Sequence, residues 1–441
     1  MSFPAYRSYK GVPIPWIPSI PGHWELKPVL GAARERDEDN KGMKEDNLLS
    51  LSYGNIVNKD INTSDGLLPE SFETYQIVKP GDIVLRLTDL QNDKRSLRSA
   101  LVTQTGIITS AYLALKPEGI DPKYLGYLLR AYDVSKVFYS MGGGLRQSMK
   151  YGDIKRMPLV MPTKAEQSEI ASFLDRETAK IDALITEQQR LIELLQEKRQ
   201  AVISHAVTKG LNPNAPMKVS GVEWLGEVPE HWEVKPLKHL ANIQTGMAKG
   251  KDVDGMETRE APFLRVANVQ DGYLDLEDVH VITVPASAVE RYLLRKGDVL
   301  MNEGGDFDKL GRGCLWNGEI DECIHQNHVF AVRPHSVTGD WLNTYTTSKP
   351  ANSYFISRSK QSTNLASISS SNLMGLVVPV PPVSEATEIL RRLGLKLKEF
   401  DGLRKASAKA TSLLQERRSA LISAAVTGQI DVRGLVQKEE P

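Results

Sequence analysis

Pro21-Gly22-His23-Trp24-Glu25-Leu26-Lys27-Pro28 returns 208 residues later as Pro229-Glu230-His231-Trp232-Glu233-Val234-Lys235-Pro236. Trp16 returns at Trp224 by the same step. Farther along, Glu166–Thr208 returns as Glu385–Thr427, now 219 residues on. Ile170 matches Ile389, Asp182 matches Asp401, Leu195 matches Leu414, and Ala206-Val207-Thr208 matches Ala425-Val426-Thr427. Twice 219 is 438, nearly all of the 441 residues, so the chain is one unit used twice. The step grows by 11 between the Trp motif and the later segment, which puts insertions in the middle of the second copy. That middle also differs most in sequence. A duplicated frame carries two unlike interiors.

Composition bounds the rest. The chain is 41% hydrophobic and 25% charged, ordinary for a globular protein. Lys+Arg 55 against Asp+Glu 55 excludes a strongly basic coat, so any nucleic-acid contact must rest on local clusters or on charge shared with a partner. Cys314 and Cys323 make neither a disulfide framework nor a zinc pattern. No apolar run approaches ~20 residues, the length of a membrane span, and the N-terminus lacks the apolar stretch of a signal peptide. A cytoplasmic protein is expected.

Residues 166–208 contain no Gly or Pro and stop at Lys209-Gly210, a helix-end signal. A stripe at 3.5-residue spacing runs Leu174, Ile181, Gln188, Leu195, Val202, flanked by Ile170, Leu184, Ile185, Leu191 and Ile192. The second copy reads Leu393, Phe400, Ser407, Leu414, Leu421, flanked by Ile389, Leu397 and Leu403. Such stripes mark helices packed lengthwise. At ~1.5 Å per residue each helix is roughly 60 Å long. The two helices are natural antiparallel partners within one molecule, with Gln188 and Ser407 as single polar seam positions. An ordinary helical bundle is the alternative.

The interiors, 24–160 and 232–380, read as mixed α/β domains. Ile83–Leu87 follows the turn Lys79-Pro80-Gly81-Asp82, and Val299–Met301 follows Lys296-Gly297-Asp298. Strands are also expected at Ala111–Pro117, His328–Pro334, Pro158–Pro162 and Leu376–Pro382, and helices at Tyr124–Tyr139 and Trp341–Tyr354. Basic and polar residues gather in loops. Arg86, Lys94, Arg95 and Arg98 precede a Gly-rich loop with Arg146, Gln147 and Lys150 in the first copy, and Arg358, Lys360 and Gln361 stand in the second. These side chains can read base edges and phosphates. Solvated surface loops are the plainer alternative.

Catalytic apparatus is not evident. Gly246–Asp252 is one residue short of a phosphate-binding loop and reads as a turn. Gly311-Arg312-Gly313 lacks the third glycine of a dinucleotide fingerprint. His325 and His328 read as polar strand positions, not as a metal pair. No Gly-x-Ser-x-Gly elbow occurs, nor an Asn/Asp-Pro-Pro-Tyr/Phe stretch. No metal or cofactor is expected, and a binding subunit is favoured over an enzyme.

The tandem Pro-x-His-Trp-Glu-x-Lys-Pro opening and the long helix closing on Gln196-Glu197-Lys198-Arg199-Gln200-Ala201-Val202-Ile203-Ser204, repeated as Gln415-Glu416-Arg417-Arg418-Ser419-Ala420-Leu421-Ile422-Ser423, resemble the specificity (S) subunits of type I restriction-modification systems. The resemblance covers essentially the whole chain, twice, in order. It implies target recognition domains at 1–162 and 211–382, spacer helices at 163–210 and 383–432 in an antiparallel coiled coil, and a tail at 433–441. Each recognition domain would read one half of a bipartite site in double-stranded DNA. The helices would set the spacing and dock two methyltransferase (M) subunits, which bind S-adenosylmethionine and methylate adenine. Motor-nuclease (R) subunits would cut DNA in the full complex, and the S subunit would carry no catalysis. The opening residues depart from the pattern: Gly11-Val12-Pro13-Ile14-Pro15-Trp16 stands where the second copy has Gly221-Val222-Glu223-Trp224-Leu225-Gly226. A divergent methyltransferase or nuclease and a coiled-coil scaffold with ligand- or protein-binding domains are the competing classes.

Overall fold

The computed structural model describes residues 3–62, 71–90, 97–141, 148–248, 256–305, 310–311, 313–361 and 366–435. The chain divides into two compact units, but not into its two sequence halves. The first unit joins Met1–Gln189 to Lys409–Pro441, and the second is Arg190–Ala408. The long helices are Lys164–Lys209 and Val383–Val426. Each therefore begins in one unit and ends in the other.

Each unit has its own copy of one sheet. In the first, strands Ala33–Glu35, Leu113–Pro117, Ile83–Leu85 and Ser99–Leu101 lie side by side in that order, all antiparallel. In the second, Ala241–Thr245, Val329–Pro334, Val299–Asn302 and Gly313–Leu315 repeat the arrangement. The strands Ile83–Leu85 and Val299–Asn302 are buried throughout, which explains their unbroken apolar reading. Each is entered through a turn with a left-handed glycine, Gly81 or Gly297, both at φ 94°. The aspartate that follows is buried in both copies and is held bidentately by an arginine. Arg36 donates to Asp82 at 2.9 and 2.7 Å. Arg333 donates to Asp298 at 2.7 Å through both nitrogens. The arginine comes from a different strand region in each copy, so the paired charge is kept while its source has moved.

The expected helix near 124–139 is Pro122–Val134 followed by Val137–Met141, and its counterpart is Gly339–Thr346 plus Lys349–Arg358. The exit strands Pro158–Met161 and Val377–Val380 pair with Glu25–Pro28 and Glu233–Pro236. The Pro-x-His-Trp motif and the Pro-rich exit are thus one hairpin-like seam that closes each domain.

Within each unit the long helices run antiparallel. In the first, Glu166 lies 3.8 Å from Arg433 and Asp182 accepts from Arg418 at 2.8 Å, so one chain advances as the other retreats. In the second, Arg199 sits 3.9 Å from Asp401, while the position of Gly210 abuts Glu385. The two ion pairs are the same pair by repeat, since both partners are displaced by 219 residues. Leu174, Ile181, Leu195, Leu393, Phe400 and Leu421 are buried, and Val202 and Leu414 are half-buried. Ser407 is buried and Gln188 half-buried. The flanking expectation fails at Leu184, Leu191 and Leu403, which are 52%, 41% and 53% exposed. They lie on the solvent side of the stripe.

The second helix stops at Val426, short of the expected 432. Gly428 takes φ 74°, and a Cβ there would stand 2.3 Å from Pro21 and 3.2 Å from Trp24. Gly210 caps the first helix at φ 73° against Trp232, at 3.3 Å. In each copy the glycine after the helix allows a close approach to the tryptophan of the Pro-x-His-Trp motif. After Gly428 the chain joins the N-terminal segment: Asp431 N donates to Pro4 O at 2.7 Å, and Val432 is fully buried.

Candidate nucleic-acid interface

The repeated His-Trp motif is a structural joint. Trp24 and Trp232 are fully buried, and truncating such a side chain costs roughly 3–5 kcal/mol. His23 Nε2 meets both carboxylate oxygens of Glu166, at 2.8 and 3.0 Å, and His231 Nε2 meets Glu385 at 2.7 Å. Both glutamates lie in the first turn of a long helix, where negative charge is favoured. Burial alone would raise the Glu166 pKa. Hydrogen bonds from His23 and from the Thr163 side chain and backbone nevertheless hold it below the ordinary carboxylate value. The most recognisable residues of the sequence thus fasten each domain to a helix start.

The expected DNA contacts separate. Lys94, Arg95, Arg146 and Gln147 lie outside the described residues. Arg98 is a correction. It is fully buried, and its guanidinium donates to the carbonyls of Arg86, Thr88 and Asp89 at 3.1, 2.7 and 3.2 Å and to Tyr139 Oη at 2.9 Å. An arginine fork can satisfy several carbonyls at once, so Arg98 fixes the loop from within and is not available to a phosphate. Arg86 is half-buried beside it. Lys150 is exposed at the start of the short helix Tyr151–Ile154. Arg358 ends the helix Lys349–Arg358, and Lys360 and Gln361 form a short exposed strand just beyond it.

Lys150 in the first unit and the Lys360–Gln361 strand in the second lie next to the same position of the frame. Met149 N donates to Leu87 O at 2.9 Å, just past the central strand Ile83–Leu85. Ile368 N donates to Glu303 O at 2.8 Å, just past Val299–Asn302. Met149 and Ile368 are again 219 residues apart. The frame is constant up to this edge, and the segments delivered to it differ in length and sequence.

Sequence reasoning missed what lies at the edge of the second unit. His325 is a buried strand residue as expected, and burial lowers its pKa to about 4, so it is neutral. His328 is not in a strand. It is an exposed turn residue whose Nδ1 lies 2.6 Å from Glu303 Oε2. The pair joins positions 25 residues apart, and only the strand pairing brings them together. Gly246, read as part of a turn, closes the strand Ala241–Thr245, and a Cβ there would overlap His325 O. The rest of that stretch, from 249, lies outside the described residues. Both cysteines are buried, which pushes each thiol up to about 12. Among the described residues no helix is long and apolar enough to cross a membrane.

No protein-family model matches the chain. Relatives cover most of it. The type I restriction enzyme EcoKI specificity subunit of Escherichia coli (strain K12) is 22% identical over 436 residues, 93% of this chain and 90% of the relative. The StySPI specificity subunit of Salmonella potsdam is also 22% identical, over 93% of this chain and 90% of its own length. The MjaVIII specificity subunit of Methanocaldococcus jannaschii is 24% identical over 81% of each. Among solved structures, a chain from a study of complex assembly and conformational transition of the type I R-M system has a TM-score of 0.66 at 16% identity, covering 93% of this chain and 99% of that one. The HsdS subunit from Thermoanaerobacter tengcongensis has a TM-score of 0.50 at 16% identity, covering 93% and 98%. At these identities the structures speak for the fold alone. Along nearly its whole length, and in its twice-used frame, this chain is similar to the specificity subunits of type I restriction-modification systems.

Proposed function

We propose that this chain is the non-catalytic subunit that selects DNA sequence for a type I restriction-modification complex in the cytoplasm. In this reading 1–162 and 211–382 are target recognition domains, each reading one half of a bipartite site. The segments 163–210 and 383–432 are spacers, helical up to Lys209 and Val426, and 433–441 is the tail. The observation that carries the reading is the edge described above: two units keep one sheet order, one buried Asp–Arg pair and one His–Glu joint, yet deliver different basic segments to the same place. That is what reading two unlike half-sites requires. Linking two readers raises affinity through effective concentration.

Docking of two methyltransferase subunits has its own support. Leu184 and Leu403 are 52% and 53% exposed, and Leu194 and Leu413 are 43% and 54% exposed. Each pair is one position repeated at 219, so each unit offers the same two leucines. Two copies of one partner need two copies of one surface, and exposed leucines retained in both helices fit an apolar contact. Methylation of adenine and ATP-dependent cleavage then belong to the M and R subunits.

Exchange of residues 24–160 for another recognition domain tests the reading. Methylation-site mapping should show one half-site changed and the other kept. If both change together, independent reading is wrong. Titration of the isolated chain with S-adenosylmethionine separates the enzyme alternative, since a fused methyltransferase binds it and a specificity subunit does not.

A further inference from the structure

We infer that a groove in the second unit, lined by Glu303, Gly305, His328, Lys360, Gln361 and Ser367, is where that domain reads base edges, and that the Glu303–His328 pair is a specificity-determining element. The inference rests on the proposed function and goes beyond it by naming the residues. The groove has a volume of about 540 Å³. One wall is a small sheet in which Gly304–Gly305 pairs with Ala366–Ser367, which in turn pairs with Lys360–Gln361.

Three observations point to base edges over phosphate. First, Glu303 is held rigidly: its N–H donates to His328 O at 2.9 Å, its carbonyl accepts from Ile368 N at 2.8 Å, and its carboxylate meets His328 Nδ1 at 2.6 Å. A fixed carboxylate repels phosphate, but it accepts well from the exocyclic amino group of cytosine. Second, the neighbouring groups complement it. Lysine suits the guanine acceptors, and glutamine suits adenine bidentately. Both Lys360 and Gln361 are exposed at the groove. Third, the site is open by composition. Gly305 lies outside the left-handed region, and a Cβ there would meet nothing within 4 Å. Glycine is therefore not demanded by backbone strain or by packing at this position. What its hydrogen preserves is space in the groove. In the first unit Leu87 occupies the place of Glu303 just past the central strand, so the element differs between the two readers, as unlike half-sites require.

The test uses the full chain assembled with its methyltransferase subunits. The wild-type site is first mapped by methylation, and binding is then measured on duplexes with each base pair of the site replaced in turn. Glu303→Gln should lower discrimination at one base pair of the second half-site by roughly tenfold to a hundredfold, the worth of one good base contact. The first half-site profile should not change. Gly305→Leu, whose Cβ would meet nothing within 4 Å and whose side chain adds bulk to the groove, should weaken binding to the cognate site at least as much and leave non-specific binding unchanged. Unchanged base profiles in both variants would overturn the inference. So would uniform weakening on every sequence with a shallower salt dependence, the mark of a lost phosphate contact. A wild-type complex with no bipartite preference would instead overturn the proposed function, an outcome these variants cannot mimic.

Discussion

The His–Glu joint is repeated in sequence but not in energy, and the difference can be measured. The Glu166 side chain is 7% exposed, and its carboxylate serves His23, Trp24 Nε1 at 3.4 Å, and the Thr163 hydroxyl and amide at 3.0 and 3.3 Å. The Glu385 side chain is 32% exposed and its partner His231 is 50% exposed. Trp232 Nε1 is already buried without a hydrogen-bond partner. Glu166→Ala strands buried donors, each costing about 1–3 kcal/mol, so roughly 3 kcal/mol is expected in total. Glu385→Ala removes one partly exposed pair worth about 0–1 kcal/mol. The loss of a helix-start charge is common to both and cancels. The difference of about 2 kcal/mol should appear as a roughly thirtyfold greater acceleration of amide hydrogen exchange around residues 164–175 in Glu166→Ala than around 383–395 in Glu385→Ala. The pH dependence has a defined sign. The folded pKa of Glu166 lies below its unfolded value, so its contribution is full above the ordinary carboxylate range and is lost as pH falls through the folded pKa. The penalty of Glu166→Ala should therefore shrink in acid. Equal penalties for the two variants at neutral pH would refute the assignment of the extra energy to the buried donors.

Arg98→Ala should cost the first unit on the order of several kcal/mol of stability, because the carbonyls of Arg86, Thr88 and Asp89 lose a buried partner; thermal melts would show it, and a stable variant with weakened DNA binding would restore Arg98 to the interface. Lys150→Ala in the assembled complex should reduce the salt slope of DNA binding by about one unit, and an unchanged affinity across a salt series would make Lys150 a solvated surface residue. Insertion of one heptad into each helix, within 184–195 and 403–414, adds ~10 Å of rise and turns the face by only ~20°. Methylation mapping should then find unchanged half-sites with about three more base pairs between them, at ~3.4 Å per pair along each strand. An active variant with the original spacing would show that the helices are not the ruler.

What could be read from the sequence was whatever the repeat states twice. The helix stripes and the exit segments at Pro158 and Val377 recur at an offset of 219, the strands around Ile83 and Val299 at 216, and all obey local rules of period and turn chemistry. What could not be read depends on contacts made by one copy alone. Arg98 looks like Lys94 or Arg95 in a basic run, and only the fold of residues 86–89 around its guanidinium shows that it is internal. Glu303 and His328 carry no local signature, since strand pairing alone unites them. The resemblance implied a second spacer helix over 383–432. The close approach of Pro21 and Trp24, more than 390 residues away in sequence, makes Gly428 a stop.

The first unit is built from two separate stretches of chain, one on either side of the second, which is uninterrupted. On the ribosome this fixes an order of events. Residues 190–408 emerge as one run and hold every segment of their own unit, so the second unit is free to fold as soon as Ala408 clears the exit. The first domain is synthesised earlier but must wait. Leu421, Ile422, Ala425 and Val426, which complete its core, and Asp431, which ties down its N-terminal segment, are made only after the whole of the second unit. Domains of most proteins fold from the N-terminus onward during synthesis. Here the earlier domain finishes after the later one, because part of its core lies beyond Ala408.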